Sequence, residues 1–479
     1  MKTSHTLSPL SCEFTNAELS DSRRTARLEQ IADQAAAAPD ASLPDRAGDA
    51  SQLEGTYRFL NNSHVEPEAV LAPHQQCVVS RAQAAGVVLV LHDTTDFGFG
   101  GEARQGLGVL RGKTAGFYAH FSFCVGLDGR PLGTLGLHAW MRQSEPKGKR
   151  SQQHANYDPD RESLRWPEAV HRCEELVQGH AQAIHVMDRE GDCFEWLADM
   201  VEHEHRFVVR VTHDRRLDAD RKAKDVGKLY ESLASAPVLV EREVPLSPRK
   251  QVVGRPPNKE RFPDRKMRIA RLAMRATTLE ISPGNGSALH LPARLKLNFV
   301  EVTELDVPEG EAPVLWRLVT TEAVQTAEQI ASVVDIYRRR WQIEEFFKAI
   351  KTGCRYEDLQ LESGRALLVA LPIYAAVAWR MLLLRWLDRH EPGAPAEQVL
   401  NKSQLAVLLA VRKREGKPLP AAPTVHDAMT AIARMGGHLS QNGPPGWRVL
   451  GRGMNKLLEM EIGWLAATGE VVEDDAINL

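Results

Sequence analysis

The sequence predicts a mixed α/β protein: buried strands alternating with helices, a β-rich insertion, and helical regions at both ends. Three observations carry this. Val87-Val88-Leu89-Val90-Leu91 and Ala183-Ile184-His185-Val186-Met187 are short apolar runs rich in β-branched residues, the pattern of strands buried on both faces. Helical periodicities alternate with them, as in an α/β sheet. Between about residues 214 and 310 the pattern changes to short β-like runs broken by Pro and Gly.

A chain of 479 residues exceeds what one core accommodates, so several domains are expected. With 43% hydrophobic and 26% charged residues, the composition is that of a folded protein. The net charge of −3, from 60 Lys and Arg against 63 Asp and Glu, does not by itself announce a nucleic-acid partner. Such a case must rest on where the charges sit. Six cysteines without a CxxC pair argue against a zinc ribbon or a disulfide framework and fit a reducing, cytoplasmic compartment. Met1 to His5 run into polar sequence without the apolar core of a signal peptide. The longest apolar run, Ala366 to Trp379, contains Pro372 and falls short of the ~20 residues of a membrane span, so a buried helix and no membrane association are expected.

At the N-terminus, Ser20-Asp21 is a helix-capping signal, followed by Leu28, Ile31, Ala32 and Ala35 at helical spacing. The first turn carries Arg23, Arg24 and Arg27, cations where the helix dipole disfavours them. They form either a solvated basic face or a receptor for an external anion such as DNA phosphate. The Val87–Leu91 strand is expected to end in His92-Asp93-Thr94-Thr95, which puts Asp93 at its carboxyl end. Phe117–Val125 and Leu132–Trp140 flank Leu127-Asp128-Gly129-Arg130, a hairpin signal. A helix near Arg161–Gln178 leads to the Ala183–Met187 strand, which ends in Asp188-Arg189-Glu190-Gly191-Asp192. Asp93 and Asp188 thus occupy strand ends, where open α/β sheets place their sites.

The insertion carries a basic stretch: Arg249, Lys250, Arg255, Lys259, Arg261, Arg265, Lys266, Arg268, Arg271 and Arg275. Lys147, Lys149 and Arg150 form a second basic loop. Gly98-Phe99-Gly100-Gly101 lacks the spacing and the Lys-Ser/Thr of a phosphate-binding loop, and the seventeen histidines supply no HExxH pair. A long helical pattern runs from Thr326 to about Thr352, and Leu/Ala-rich helical sequence continues to an acidic tail at Glu473-Asp474-Asp475.

On a helix turning about 100° per residue, Tyr337, Arg340, Glu344 and Lys351 fall at roughly 0°, 300°, 340° and 320°. A phenol, two cations and one carboxylate on one narrow face suit a site where the carboxylate holds a metal and the others receive phosphate oxygens. Glu345 lies about 80° off that face, so Glu344 is the expected ligand.

With these residues the sequence resembles the insertion-sequence-four DDE transposases, of the type found in the Tn-five transposon. Their Y-(2)-R-(3)-E-(6)-K signature is matched by Tyr337, Arg340, Glu344 and Lys351. Their Asp-Thr-Thr is matched by Asp93-Thr94-Thr95, and their Asp-Arg-Glu-x-Asp by Asp188 to Asp192. The likeness also takes in Ser22 to Leu28, Tyr57-Arg58-Phe59, Arg206 to Arg210, Ala431 to Gly437 and Gly446-Trp447, in matching order.

The resemblance implies a helical DNA-binding domain over 1–72, an RNase H-like catalytic domain over 73–365 with the insertion at about 214–310, and a helical dimerisation domain over 366–479. It implies that Asp93, Asp188 and Glu344 are catalytic and bind metal. Three hard carboxylates suit Mg²⁺ or Mn²⁺, two ions per site. It further implies that Tyr337, Arg340 and Lys351 grip DNA near the cleavage point, with Arg210 and the arginines at 23, 24 and 27 as further contacts. Trp316 resembles the tryptophan that takes part in base flipping, a role that competes with an ordinary core position. Thr212 stands where a close relative has lysine, so no contact is assigned there. The implied activity is cut-and-paste transposition by a homodimer in a synaptic complex with double-stranded transposon ends and target DNA, through a hairpin. The implied setting is the bacterial cytoplasm, on the nucleoid when DNA is bound. The alternatives are an RNase H-like nuclease or an inert DNA-binding relic that inhibits transposition.

Overall fold

The computed structural model describes residues 9–101, 104–111, 114–142, 162–217, 227–246, 248, 265–283, 291–439, 441 and 445–468. Lys147, Lys149, Arg150, Arg249 to Arg261 and the acidic tail lie outside these. Contacts divide the chain into two units. One comprises Met1–Ala85, Thr94–Pro146 and Gln342–Leu479; the other comprises Gly86–Asp93 and Lys147–Trp341. Helical regions from both chain ends fall in the same unit.

Among the described residues ten strands are numbered in chain order: β1 (Val87–Gly98), β2 (Gly108–Val109), β3 (Ala115–Gly126), β4 (Pro131–Trp140), β5 (Gln182–Met187), β6 (Arg206–Arg210), β7 (Val238–Leu246), β8 (Arg268–Ile281), β9 (Leu295–Leu305) and β10 (Leu315–Thr320). β1 runs through both units and continues to Gly98, past the end expected at Asp93. Only its parallel pairing with β5 stops there, at His92↔Met187.

In the second unit the strand order is β1-β5-β6-β10-β9-β8-β7. β1, β5 and β6 are parallel, and every later neighbour is antiparallel. Parallel strands must be covered on both faces, which explains why Val88 to Leu91 and Ala183 to Met187 are buried without alternation. The β-rich insertion is not a separate module: β7, β8 and β9 extend the sheet through β10. One face packs on the helices Arg165–Val177, Phe194–Glu202 and Leu229–Ser235, around Trp166, Leu197, Phe207, Leu233 and Phe299. The helix Ala327–Arg339 packs against β6 to β9. Thr326 and Gln329 close a reciprocal capping box at its start.

In the first unit β3 and β4 form the expected hairpin. Gly129, at φ 86°, supplies the left-handed residue that its turn requires. The helix Ser22–Ala37 is capped by Asp21, whose carboxylate accepts from the Arg23 N–H, and buries Leu28, Ile31, Ala32 and Ala35 as predicted. The apolar run after Ala366 belongs to a helix longer than expected, Gly364–His390, of 27 residues with Pro372 inside. It has the length and hydropathy to cross a membrane by composition alone, yet 89% of its most apolar window is buried. It packs on β4 and the helix Pro67–Ala85, as the core helix of its unit.

Candidate active site

The parallel register fixes Asp93 and Asp188 together. Each follows directly on the last registered pair, His92↔Met187, so the two aspartates leave neighbouring strands at the same level. Side chains alternate along strands, which puts Leu91, Asp93, Val186 and Asp188 on one face and His92 and His185 on the other. Asp188 keeps an extended backbone (φ −82°, ψ −161°), and its carboxylate accepts from the Glu190 N–H at 2.8 Å.

Continuing across the sheet, Val186 is in register with Val208, and Arg210 with Leu318. Arg210 on β6 and Trp316 on β10 therefore share the aspartates' face. The C-terminal end of the helix Ala327–Arg339 adds Tyr337 and Arg340. The Trp316 ring meets the Tyr337 ring edge-on, with centroids 5.7 Å apart. Arg340 Nη1 lies 3.3 Å from Asp93 Oδ2, and its guanidinium carbon is 6.0 Å from the Tyr337 ring centre. Tyr337 is buried. Burial pushes its phenol pKa up, against the lowering pull of the Arg340 charge and of Arg210, which also hydrogen-bonds to it. The hydroxyl is therefore a neutral hydrogen-bonding group. Six residues singled out from sequence, Asp93, Asp188, Arg210, Trp316, Tyr337 and Arg340, thus form one neighbourhood. Trp316 is only partly buried, so it is not a plain core residue.

The single helical face predicted for Tyr337 to Lys351 is corrected. The helix ends at Arg339, and Arg340 caps it, with its N–H bonded to the Tyr337 carbonyl at 3.0 Å. A new helix spans Trp341–Lys348, and a π turn covers Ala349–Gly353. A π turn inserts a residue relative to α spacing, so Lys351 slips out of the predicted phase. Glu344 and Lys351 belong to the first unit. There Lys351 Nζ lies 3.5 Å from Asp96 and 5.3 Å from the Phe97 ring centre. Glu345 is bound to Lys348 at 2.8 Å and to Arg385 at 3.2 Å. Although burial raises its carboxyl pKa, these cations hold it below the ordinary value. Glu345 is a packing residue.

Arg23, Arg24 and Arg27 have partners of their own. Arg23 pairs with Asp21 at 3.0 Å while remaining 90% exposed at its side chain. Arg24 donates to the Leu19 carbonyl, and Arg27 to Gln30 across Gly55, where a Cβ would strike its guanidinium at 2.6 Å. Arg23 is the most exposed of the three. In the basic stretch, Arg268 pairs with Glu304 and Glu311, Arg271 with Glu241 and Asp306, and Arg275 with Glu301. These charges are compensated within the sheet.

One anchoring residue behind the site was assigned no role in the sequence reading. Asp192, the last residue of the Asp-Arg-Glu-x-Asp motif, is buried. It accepts from the Thr212 and His213 N–H groups at 2.6 and 3.0 Å and pairs with Arg215 at 2.5 Å. It anchors the chain leaving β6, just after Arg210. The motif's third carboxylate was the available signal.

The donors that β1 and β5 present on this face are carboxylate oxygens, because the neighbouring imidazoles of His92 and His185 point the other way. Such a donor set fits a hard divalent cation.

Two family models match the chain. Residues 10–65 match a transposase DNA-binding domain, and residues 180–379 match a transposase DDE domain. The second match takes in Asp188, Trp316 and the Tyr337 to Lys351 segment and begins after Asp93. Transposase DDE domains generally act with divalent metal ions. Among solved structures, the chain is similar to a piggyBac transposase in a synaptic complex with hairpin DNA, at 10% identity over 98% of this chain and 81% of that one. The TM-score of 0.36 is too low for that likeness to bear on fold or function. From the two family matches, the chain is a DDE transposase: an enzyme acting on DNA, with a transposase DNA-binding domain ahead of its DDE domain.

Proposed function

We propose that the protein carries out cut-and-paste transposition as an insertion-sequence-four transposase of the Tn-five type, on an RNase H-like core. Asp93, Asp188 and Glu344 hold two Mg²⁺ or Mn²⁺ ions. When bound, such ions activate a water or a 3′-hydroxyl and stabilise the leaving oxygen of an in-line phosphoryl displacement. The observation that carries this reading is the shared sheet face: the two strand aspartates together with Arg210, Trp316, Tyr337 and Arg340.

The chain's own groups then divide the work. Arg340, beside Asp93, receives a phosphate oxygen next to the scissile bond, and the neutral Tyr337 hydroxyl donates to another. Lys351 adds a third contact, and Arg210 holds the strand alongside. Trp316, edge-on to Tyr337, offers a partly open aromatic surface for a base turned out of the stack during hairpin formation. Residues 1–72 read the transposon end, with Arg23, Arg24 and Arg27 toward its backbone, and 366–479 dimerise the protein in the synaptic complex.

The test uses the full chain and duplex DNA from the flanks of its coding region, with Mg²⁺ present. Nicks, hairpins and joined products in a target plasmid are expected. The Glu344→Ala variant should cut more than about 100-fold more slowly, since even indirect support of a metal ligand is worth 10–100-fold. Equal cutting by that variant removes Glu344 from the triad. Cleavage without joining makes the protein a nuclease.

A further inference from the structure

On the reverse of the sheet from the aspartates, in the same unit, histidines that are scattered in sequence converge. His171 comes from the helix Arg165–Val177, Asp199 from the helix Phe194–Glu202, His203 from that helix's C-cap and His205 from just before β6. Asp199 and His203 are four residues apart, the spacing that puts two side chains on one helix face. His171 Nε2 lies 2.9 Å and His203 Nδ1 3.5 Å from the Asp199 carboxylate. The ring centres are 4.8 Å apart for His171 and His203, and 5.5 and 5.6 Å from each of these to His205.

One feature separates this from ordinary polar packing. Asp199 Oδ2 has only the His171 ring nitrogen beside it, at 2.9 Å, and the buried His205 Nε2 has no hydrogen-bond partner among the described residues. Buried polar atoms are nearly always satisfied, so an unsatisfied imidazole nitrogen at the inner side of two histidines and a carboxylate points to a missing ligand. One donor atom from each of His171, Asp199 and His203 lies within 4.8 Å of the others. A tetrahedral ion bound at about 2.0–2.1 Å needs donors about 3.3 Å apart, so binding turns the side chains inward, and His203, whose Nδ1 donates to the Asp199 carbonyl at 2.8 Å, offers its Nε2 or gives up that bond. The side chains of His171, Asp199 and His203 are 34%, 28% and 49% exposed, which leaves them room to rotate and a path for an ion.

We propose that His171, Asp199 and His203 form a second metal site, for a borderline divalent cation of the zinc class, with His205 at its inner side. Two imidazoles and one carboxylate suit that class and not the hard cation of the strand aspartates. The ion clasps two helices and the start of β6. Behind it, Glu174 lies 3.6 Å from His205 and 3.0 Å from His185, which bonds His92 at 2.8 Å. The clasp therefore braces β1 and β5 from behind, one residue from Asp93. The proposal does not depend on the mode of transposition.

The experiment strips the full chain with chelator and titrates Zn²⁺ alone against a chromophoric competitor in excess Mg²⁺. The same titration is run on His171→Gln/His203→Gln and on the near-isosteric Asp199→Asn, with circular dichroism to verify folding. The parent should take up one equivalent more than either variant and melt at a higher temperature with Zn²⁺, a rise that both variants lose. Equal Zn²⁺ uptake by the parent and a folded variant overturns the site. So does uptake that excess Mg²⁺ abolishes.

Discussion

Arg340 Nη1 lies 3.3 Å from Asp93 Oδ2, although 247 residues separate them in sequence. The pair joins a DNA-gripping cation to a metal-binding carboxylate in the proposed mechanism, so the two functions are electrostatically coupled. Removing the cation should have opposite effects on the two ligands. In Arg340→Ala, DNA affinity should fall roughly 10–100-fold, the worth of a charge-assisted hydrogen bond. The Mn²⁺ concentration for half-maximal metal binding should fall, because the carboxylates lose a competing positive charge. Fluorescence anisotropy and metal titration measure the two separately. Weaker binding of both ligands would remove the coupling.

Trp316 and Tyr337 form an aromatic pair worth about 0.5–1.5 kcal/mol beyond the area they bury. Trp316→Ala should therefore cost little stability but reduce hairpin product roughly tenfold or more, since stacking on a base is worth about 1–3 kcal/mol. First-strand nicking should persist, and Trp316→Phe should restore part of the loss. Gel analysis of nicked and hairpin products decides this. Equal loss of both would make Trp316 a packing residue only.

Glu13 governs acid stability of the first unit. Its carboxylate lies 2.6 Å from His74 Nδ1 and 2.7 Å from Arg81. His74 Nε2 accepts the Thr134 N–H at 3.1 Å, so Nδ1 carries the proton of a neutral ring, and burial keeps that ring's pKa low. Burial by itself would raise the Glu13 pKa, but the bonds from His74 and Arg81 outweigh it and hold it at about 2, against 4.5 in an unfolded chain. A depressed carboxyl pKa contributes stability in full above the unfolded value and loses it as pH falls through the folded one. The contribution, roughly 3 kcal/mol at neutral pH, should disappear between pH 4.5 and about 2. Glu13→Gln should lower Tm at pH 7, with the difference from the parent vanishing near pH 2. A difference that does not change with pH would contradict the assignment.

Gly436 and Gly453 let the C-terminal helices Val425–Met435 and Trp447–Thr468 approach closely. A Cβ on Gly453 would lie 1.9 Å from the Ile432 carbonyl oxygen, and one on Gly436 1.9 Å from that of Val449. Gly453→Ala should destabilise the first unit by about 1–3 kcal/mol or more, the cost of overpacking. Gly463→Ala, where a Cβ meets nothing within 4 Å, should not. Thermal melts of the two variants make the comparison, and equal Tm values would contradict the close approach.

The sequence by itself determined the elements whose signals are local. The β-branched runs at Val87–Leu91 and Ala183–Met187 are strands because only a doubly covered sheet buries such residues without alternation. Asp21 and Thr326 cap helices because their side chains satisfy open N–H groups within a few residues. Asp188 could be named as a candidate because it directly follows one of these β-branched runs, whereas Arg210 and Trp316 were named only through the family resemblance. Tertiary structure decided what depends on register and on neighbours distant in sequence. The parallel pairing His92↔Met187 puts Asp93 beside Asp188 and turns the histidines to the other face, where His171, Asp199, His203 and His205 meet. The Asp199/His203 spacing shows only one helix face, and no spacing rule brings His171 and His205 to it, because they come from separate elements. The break at Arg340 and the π turn at Ala349–Gly353 likewise follow from packing. A periodicity of 3.6 residues assumes an unbroken helix, and here the backbone changes its turn twice within fifteen residues.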